Sequence, residues 1–163
     1  MPQERKITLM SDTEDKRLQE LIKHAESGDA EAQNILAAEL AAGFLQGGTD
    51  PTGALFWYCE AIKQGHVHAK WNAATMFLHG EGGIQKDEKI AMRLIEDAAN
   101  CNETGACLFL VSCYEQGMHG KPIDRNIATK WYQRAWDTEA FKAFSDPIDL
   151  VADYSVVVQQ PQY

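Results

Sequence analysis

The amino-acid sequence predicts an all-α protein built by stacking pairs of antiparallel helices, and three observations carry that expectation. Small and bulky residues recur at a step of 37, glycines close helix-length segments at the same step, and aspartates stand before the segments that follow. Self-similarity at a fixed period of roughly 20 to 50 residues is the mark of a repeat architecture, in which no unit buries its apolar face alone.

The register is unbroken over three units. Ala32, Ala69 and Ala106 open it, Gly43, Gly80 and Gly117 follow, and Asp50, Asp87 and Asp124 keep the step. Ala54, Ala91 and Ala128 come next, then the bulky set Trp57, Leu94 and Trp131, then Tyr58, Ile95 and Tyr132, and Ala61, Ala98 and Ala135 close the unit. The first helix of the first unit begins near Ala32 and ends at Gly43, since glycine best tolerates the left-handed position after a helix. Loops rich in Gly, Asp and Pro come next: Gln46 to Pro51, Gly80 to Gly83, and Gly117 to Pro122. The second helix runs from about Pro51 to Gln64, with the recurring aspartate placed to accept from unpaired N–H groups. Gly65 stops it, as Gly28 stops the helix before. Alanines seven apart share a face, so Ala54 and Ala61 let helices approach while Trp57 and Tyr58 fill the space between layers.

Leu18, Leu21, Ile22 and Ala25 follow helical spacing and predict an N-terminal capping helix. Glu139 to Phe144 and Pro147 to Tyr154 are expected to cap the other end. The domain reading is a loose N-terminus at 1–13, one repeat domain over 14–154 with units at about 28–64, 65–101 and 102–138, and a tail at 155–163.

Composition narrows the function classes. Hydrophobic residues at 45% and charged residues at 24% are those of a globular chain, and 15 basic against 24 acidic residues give a net charge of −9. An acidic chain is a poor ligand for nucleic acid or an anionic membrane. A basic protein partner is favoured, although the same charge also serves solubility. No signal-peptide pattern occurs at the N-terminus and no apolar run approaches a bilayer span. Cys59, Cys101, Cys107 and Cys113 lack paired spacing, so they read as reduced thiols in a cytoplasmic protein.

The units resemble the Sel-one-like repeat family, a relative of the tetratricopeptide repeat. The third unit carries the pattern with Ala106, Leu110, Tyr114, Gly117, Asp124, Ala128, Trp131, Tyr132 and Ala135. The first carries Ala32, Leu36, Gly43, Asp50, Ala54, Trp57, Tyr58, Ala61 and Gly65, with Leu40 for the tyrosine. The second departs further, with Ala73 for the leucine and Leu94-Ile95 for Trp-Tyr, and all three replace the mid-helix glycine, by Ala37, Ala74 and Val111. The resemblance covers about residues 28–137. It implies a right-handed α-solenoid whose concave groove binds proteins or peptides, in a family that scaffolds signalling and quality-control complexes and includes bacterial neutralising partners of secreted toxins.

With Ala69, Ala73, Phe77 and Gly80 assigned to the core, one stripe of the second unit's first helix is left: His68, Trp71, Thr75, Leu78 and His79. Its counterparts include Glu31 and Asn34 in the first unit and Leu108, Ser112 and Glu115 in the third. These ten residues are the expected partner-binding set. Trp71 is its anchor, half-exposed among polar groups, the alternative being that it packs on the next layer; on the anchor reading Trp71→Ala weakens binding with little loss of stability. His66, His68 and His79 lack the carboxylates or thiols that would complete a tetrahedral zinc set, so no metal and no cofactor are expected. The acidic run Asp137, Glu139, Asp146, Asp149 and Asp153 reads as a solvated face or a contact for a basic partner.

No nucleophile elbow, P-loop or zincin motif is present, and the glycines of Gly80-x-Gly82-Gly83 lie between helices, where they serve as a turn. The sequence therefore reads as a non-enzymatic protein-binding module. A stoichiometric inhibitor such as the immunity protein of a bacterial toxin is the sharper role, a scaffold or adaptor the alternative, and a hydrolase on a helical frame a remote third.

Overall fold

The computed structural model describes residues 12–44 and 48–137, with side chains from residue 16 onward. Among them are seven α-helices: α1 (Asp12–Glu26), α2 (Ala30–Ala42), α3 (Pro51–Lys63), α4 (Val67–His79), α5 (Glu88–Asn100), α6 (Thr104–Gln116) and α7 (Arg125–Trp136). The expected capping segments after Asp137, the tail, the extreme N-terminus and part of the first loop lie outside the described residues. Helices α2–α3, α4–α5 and α6–α7 pair within units, while α1–α2, α3–α4 and α5–α6 join one unit to the next. The fold is an all-α helical-repeat solenoid.

Each turn of the chain is made the same way three times. Gly43, Gly80 and Gly117 follow the first helices at φ of 73°, 72° and 71°, where a side chain is strained. The backbone N–H groups of Asp50, Asp87 and Asp124 then bond back to the carbonyls of Leu40, Phe77 and Tyr114, at 2.9, 2.9 and 2.8 Å, which folds each loop onto the helix it left. The same aspartates cap the second helices, accepting from Gly53, Ile90, and both Asn126 and Ile127. Two jobs fall to one residue, a backbone donor to the loop and a side-chain acceptor for the helix.

Apolar packing forms three clusters that interlock. Leu18, Leu21 and Ile22 of α1 close over Ala25, Ala32 and Leu36, the expected N-terminal cap. Trp57 and Leu40 belong both to that cluster and to the next, around Ala37, Ala54, Tyr58, Ala61, Ala69, Ala73 and Met76. Leu94 bridges from there to the third, which holds Ile95, Ala99, Cys107, Leu110, Cys113 and Ala135. The bulky position of the repeat is thus the rivet between layers, and the alanines are fully buried spacers. Ala37, Ala74 and Val111 are buried where the family pattern has glycine.

One assignment on α4 changes. Phe77 is only half-buried, and Met76 and Leu78 are the buried residues instead. Trp71, Ala74 and Leu78 fall on one stripe at i, i+3 and i+7. Ala74 and Trp71 pack into the cluster built around α5 and α6, so this stripe turns toward the following unit and takes Leu78 under cover.

Candidate partner-binding face

The predicted residues come from α2, α4 and α6, the first helices of the three units. Four of them carry contacts from one unit to the next. Glu31 accepts from Nε2 of His66 at 2.9 Å. Asn34 accepts from the Asn72 amide at 3.2 Å. His68 lies 3.4 Å from Glu103 through Nδ1, and the Trp71 ring meets Phe109 edge-on with centroids 6.1 Å apart. Within helices, Thr75 donates to the Asn72 carbonyl at 2.7 Å and Ser112 to that of Leu108. His79 and Glu115 are exposed, Leu108 is half-buried against the third cluster, and Leu78, 7% exposed, is withdrawn from the face for the reason given above.

Trp71 is therefore both a face residue and a packing residue. It is partly buried against the third cluster and meets Phe109 of α6, which departs from the expectation that its removal leaves stability intact. The polar members differ: the side chains of Glu31 and His68 remain 67% and 69% exposed although each has an inter-unit partner. Contacts of that kind fix the position of a group without removing it from water.

A further repeat position escaped the seven sets. Asp29, His66 and Glu103 stand 37 apart and all N-cap first helices, accepting from Ala32, Ala69 and Ala106 at 2.7, 3.1 and 2.6 Å. Their own N–H groups donate to the carbonyls of His24, Ala61 and Ala98, so the joint between units is also repeated. Three chemically different side chains share one property, an acceptor atom near the backbone. His66 accepts at Nδ1, which leaves Nε2 to carry the proton it gives Glu31. Gly28, Gly65 and Asn102 precede the three caps at positive φ, of 97°, 83° and 61°.

Loops stack in register too. Gly82 approaches Pro51, the first residue of α3, so closely that a Cβ would fall 1.9 Å from its Cγ. One unit on, His119 sits at φ 53° and its Nδ1 lies 2.8 Å from Glu88, the first residue of α5. The same seam is a bare backbone contact in one case and a polar one in the other.

Nucleophiles and metals find little here. Burial pushes the Cys113 thiol up to about 11 and raises that of Cys107, so both favour the inert thiol form. Among the described residues no three His, Cys, Asp or Glu side chains converge to hold a metal ion, and His66 and His68 are each turned to a different glutamate. No described helix is long and apolar enough to cross a membrane.

Residues 30–66, 67–103 and 105–135 match the Sel1 repeat. The chain belongs to the Sel1 repeat family. Sel1 repeats are protein–protein interaction modules. The fold of this Sel1 repeat protein is similar to that of a Sel1 repeat protein from Oxalobacter formigenes, with a TM-score of 0.65 at 21% identity over 78% of this chain and 95% of that one. It is similar as well to c5321, a protective antigen of uropathogenic Escherichia coli with an SLR fold, with a TM-score of 0.64 at 30% identity. That match covers 72% of this chain and only 25% of the antigen. Among curated proteins nothing matches.

Proposed function

We propose that this Sel1 repeat protein acts without catalysis, by holding a basic protein partner across its first helices. The observation that carries the reading is the exposed polar row Glu31, His68, His79 and Glu115, presented by three helices joined by inter-unit polar contacts. Preorganised polar groups lose little freedom on binding, which favours specific association. The charge of −9 speeds the approach of a cationic surface.

Within that reading, a one-to-one inhibitor of a toxin or effector is the sharper role, because the acidic charge favours a single cationic client. The test is affinity capture from the native host with the wild-type chain and with the Glu31→Lys/Glu115→Lys variant, followed by titration of the captured protein. A basic protein held one-to-one by the wild type and lost by the variant supports the reading. Equal capture by both overturns the placement on this face. For the inhibitor role, co-expression with the captured protein should restore host growth; unchanged growth removes it, and several weakly held clients would indicate an adaptor.

A further inference from the structure

The third unit holds a guanidinium in a particular way. Arg134 lies over the Trp131 ring, 5.0 Å from its centroid. Its Nη2 donates to the carbonyl of Asn100, the last residue of α5, at 2.9 Å and to Oδ1 of Asn102 at 3.0 Å, while Nε also reaches Asn102 and Nη1 reaches Oδ1 of Asn100 at 3.5 Å. An aromatic face, a helix C-terminus and planar donors are combined there, and each favours a delocalised cation.

Two repeat steps earlier the same place is differently furnished. Trp57 stands for Trp131, Glu26, the last residue of α1, for Asn100, Gly28 for Asn102, and Glu60 for Arg134. The ring and the helix end are kept, a carboxylate replaces the amide of Asn100, and a second carboxylate replaces the arginine itself. What results is an open groove of about 520 Å³, lined by Glu26, Gly28, Phe56, Trp57, Glu60 and Gln64. Gln33, buried and bonded to both the Ala25 carbonyl and the Gln64 amide, holds the two helices together beneath it. Phe56 stands 55% exposed beside Trp57, their rings edge-to-face with centroids 5.1 Å apart.

The geometry points to a guanidinium-binding groove between α1 and α3, and its occupant is an arginine side chain of the protein partner. The chain itself demonstrates the mode of binding at Arg134, and the first unit supplies stronger acceptors with no arginine of its own. A guanidinium entering there stacks on Trp57, donates to the end of α1 and meets the Glu26 and Glu60 carboxylates as a charge-assisted acceptor pair. Lys63 also borders the groove, but its ammonium is exposed and takes one oxygen of Glu60, an exchangeable surface pairing. The inference rests on the protein-binding reading and adds a contact outside the face formed by the first helices.

The experiment is an amide and indole NMR titration with N-acetyl-arginine methylamide, and with the uncharged N-acetyl-citrulline methylamide, in the millimolar range suited to one side chain. The arginine compound should shift the Trp57 indole and Gly28 amide signals saturably, with the citrulline compound weaker by about tenfold or more. Glu60→Arg should place a guanidinium of the chain's own beside Trp57 and Glu26 and remove the response. Should that variant fail to fold, Glu26→Gln/Glu60→Gln should weaken binding by several-fold. Absence of a saturable shift at Trp57, equal responses to the two compounds, or an undiminished response in a folded variant overturns the inference. No protein partner enters this titration, so its failure leaves the capture experiment unaffected, and failure of capture leaves the groove's response to arginine standing.

Discussion

A methyl group built on Gly105 would lie 2.9 Å from Cε2 of the Trp71 indole and 3.1 Å from its Nε1. Gly105 is in the first turn of α6, at ordinary helical φ, where alanine would normally add about 1 kcal/mol of helix propensity. The close approach of the ring reverses that sign. Gly105→Ala is expected to destabilise the wild type by about 1–3 kcal/mol, the usual cost of overpacking, and to be neutral or stabilising once Trp71 is alanine. Denaturant unfolding of both singles and the double gives the coupling directly. Trp71→Ala alone should cost about 2–3 kcal/mol, at or just below the foot of the roughly 3–5 kcal/mol range for a core aromatic, because the ring is only partly buried.

Asp87→Ala and Asp124→Ala should each lose about 1 kcal/mol, since each removes the side-chain cap of a second helix. His66→Asp, which keeps an acceptor at the cap, should lose less than His66→Ala. Thermal unfolding of the four variants tests the claim that acceptor position, not residue type, is what the site requires.

Tyr58 is 4% exposed, and its phenol is pushed up to about 12 from an ordinary 10, first by burial and then by the charge of Glu81. A raised pKa stabilises the fold fully below pH 10 and loses that contribution as the pH rises toward 12. The gap corresponds to about 3 kcal/mol. The unfolding free energy should fall across this window and fall less in Tyr58→Phe. An equal alkaline decline in both proteins would contradict the assignment.

Thiol reagents should separate the cysteines into two classes. Cys59 and Cys101 are exposed and should react in the native protein, whereas Cys107 and Cys113 are fully buried and should react only on unfolding. Mass spectrometry of the partly labelled chain identifies the sites.

The repeat frame was legible because identical residues recurred: the glycines must take positive φ, the aspartates must cap, and the alanines must be thin, so each physical demand admits few side chains. The cap position Asp29, His66 and Glu103 was missed because its demand, one acceptor atom, is met by three unlike residues. The loop seam of Gly82 on Pro51 and His119 on Glu88 was missed for a related reason, since a steric contact and a hydrogen bond leave no shared letter. Leu78 was misplaced by a rotation of α4: assigning Phe77 to the core puts Leu78 outward, while the true core pair is Met76 and Leu78. Pairings across units, such as Trp71 with Gly105, depend on how far one helix slides along another, which periodicity within a single helix does not record.

The central claim, that a partner lies across the first helices, is tested most directly by hydrogen exchange of the purified complex against the free chain. The account predicts slowed exchange concentrated in α2, α4 and α6, with added protection near Gly28 and Gln64 if an arginine enters the groove beside α1. Protection confined to the second helices α5 and α7, with α2, α4 and α6 exchanging as in the free chain, would contradict it.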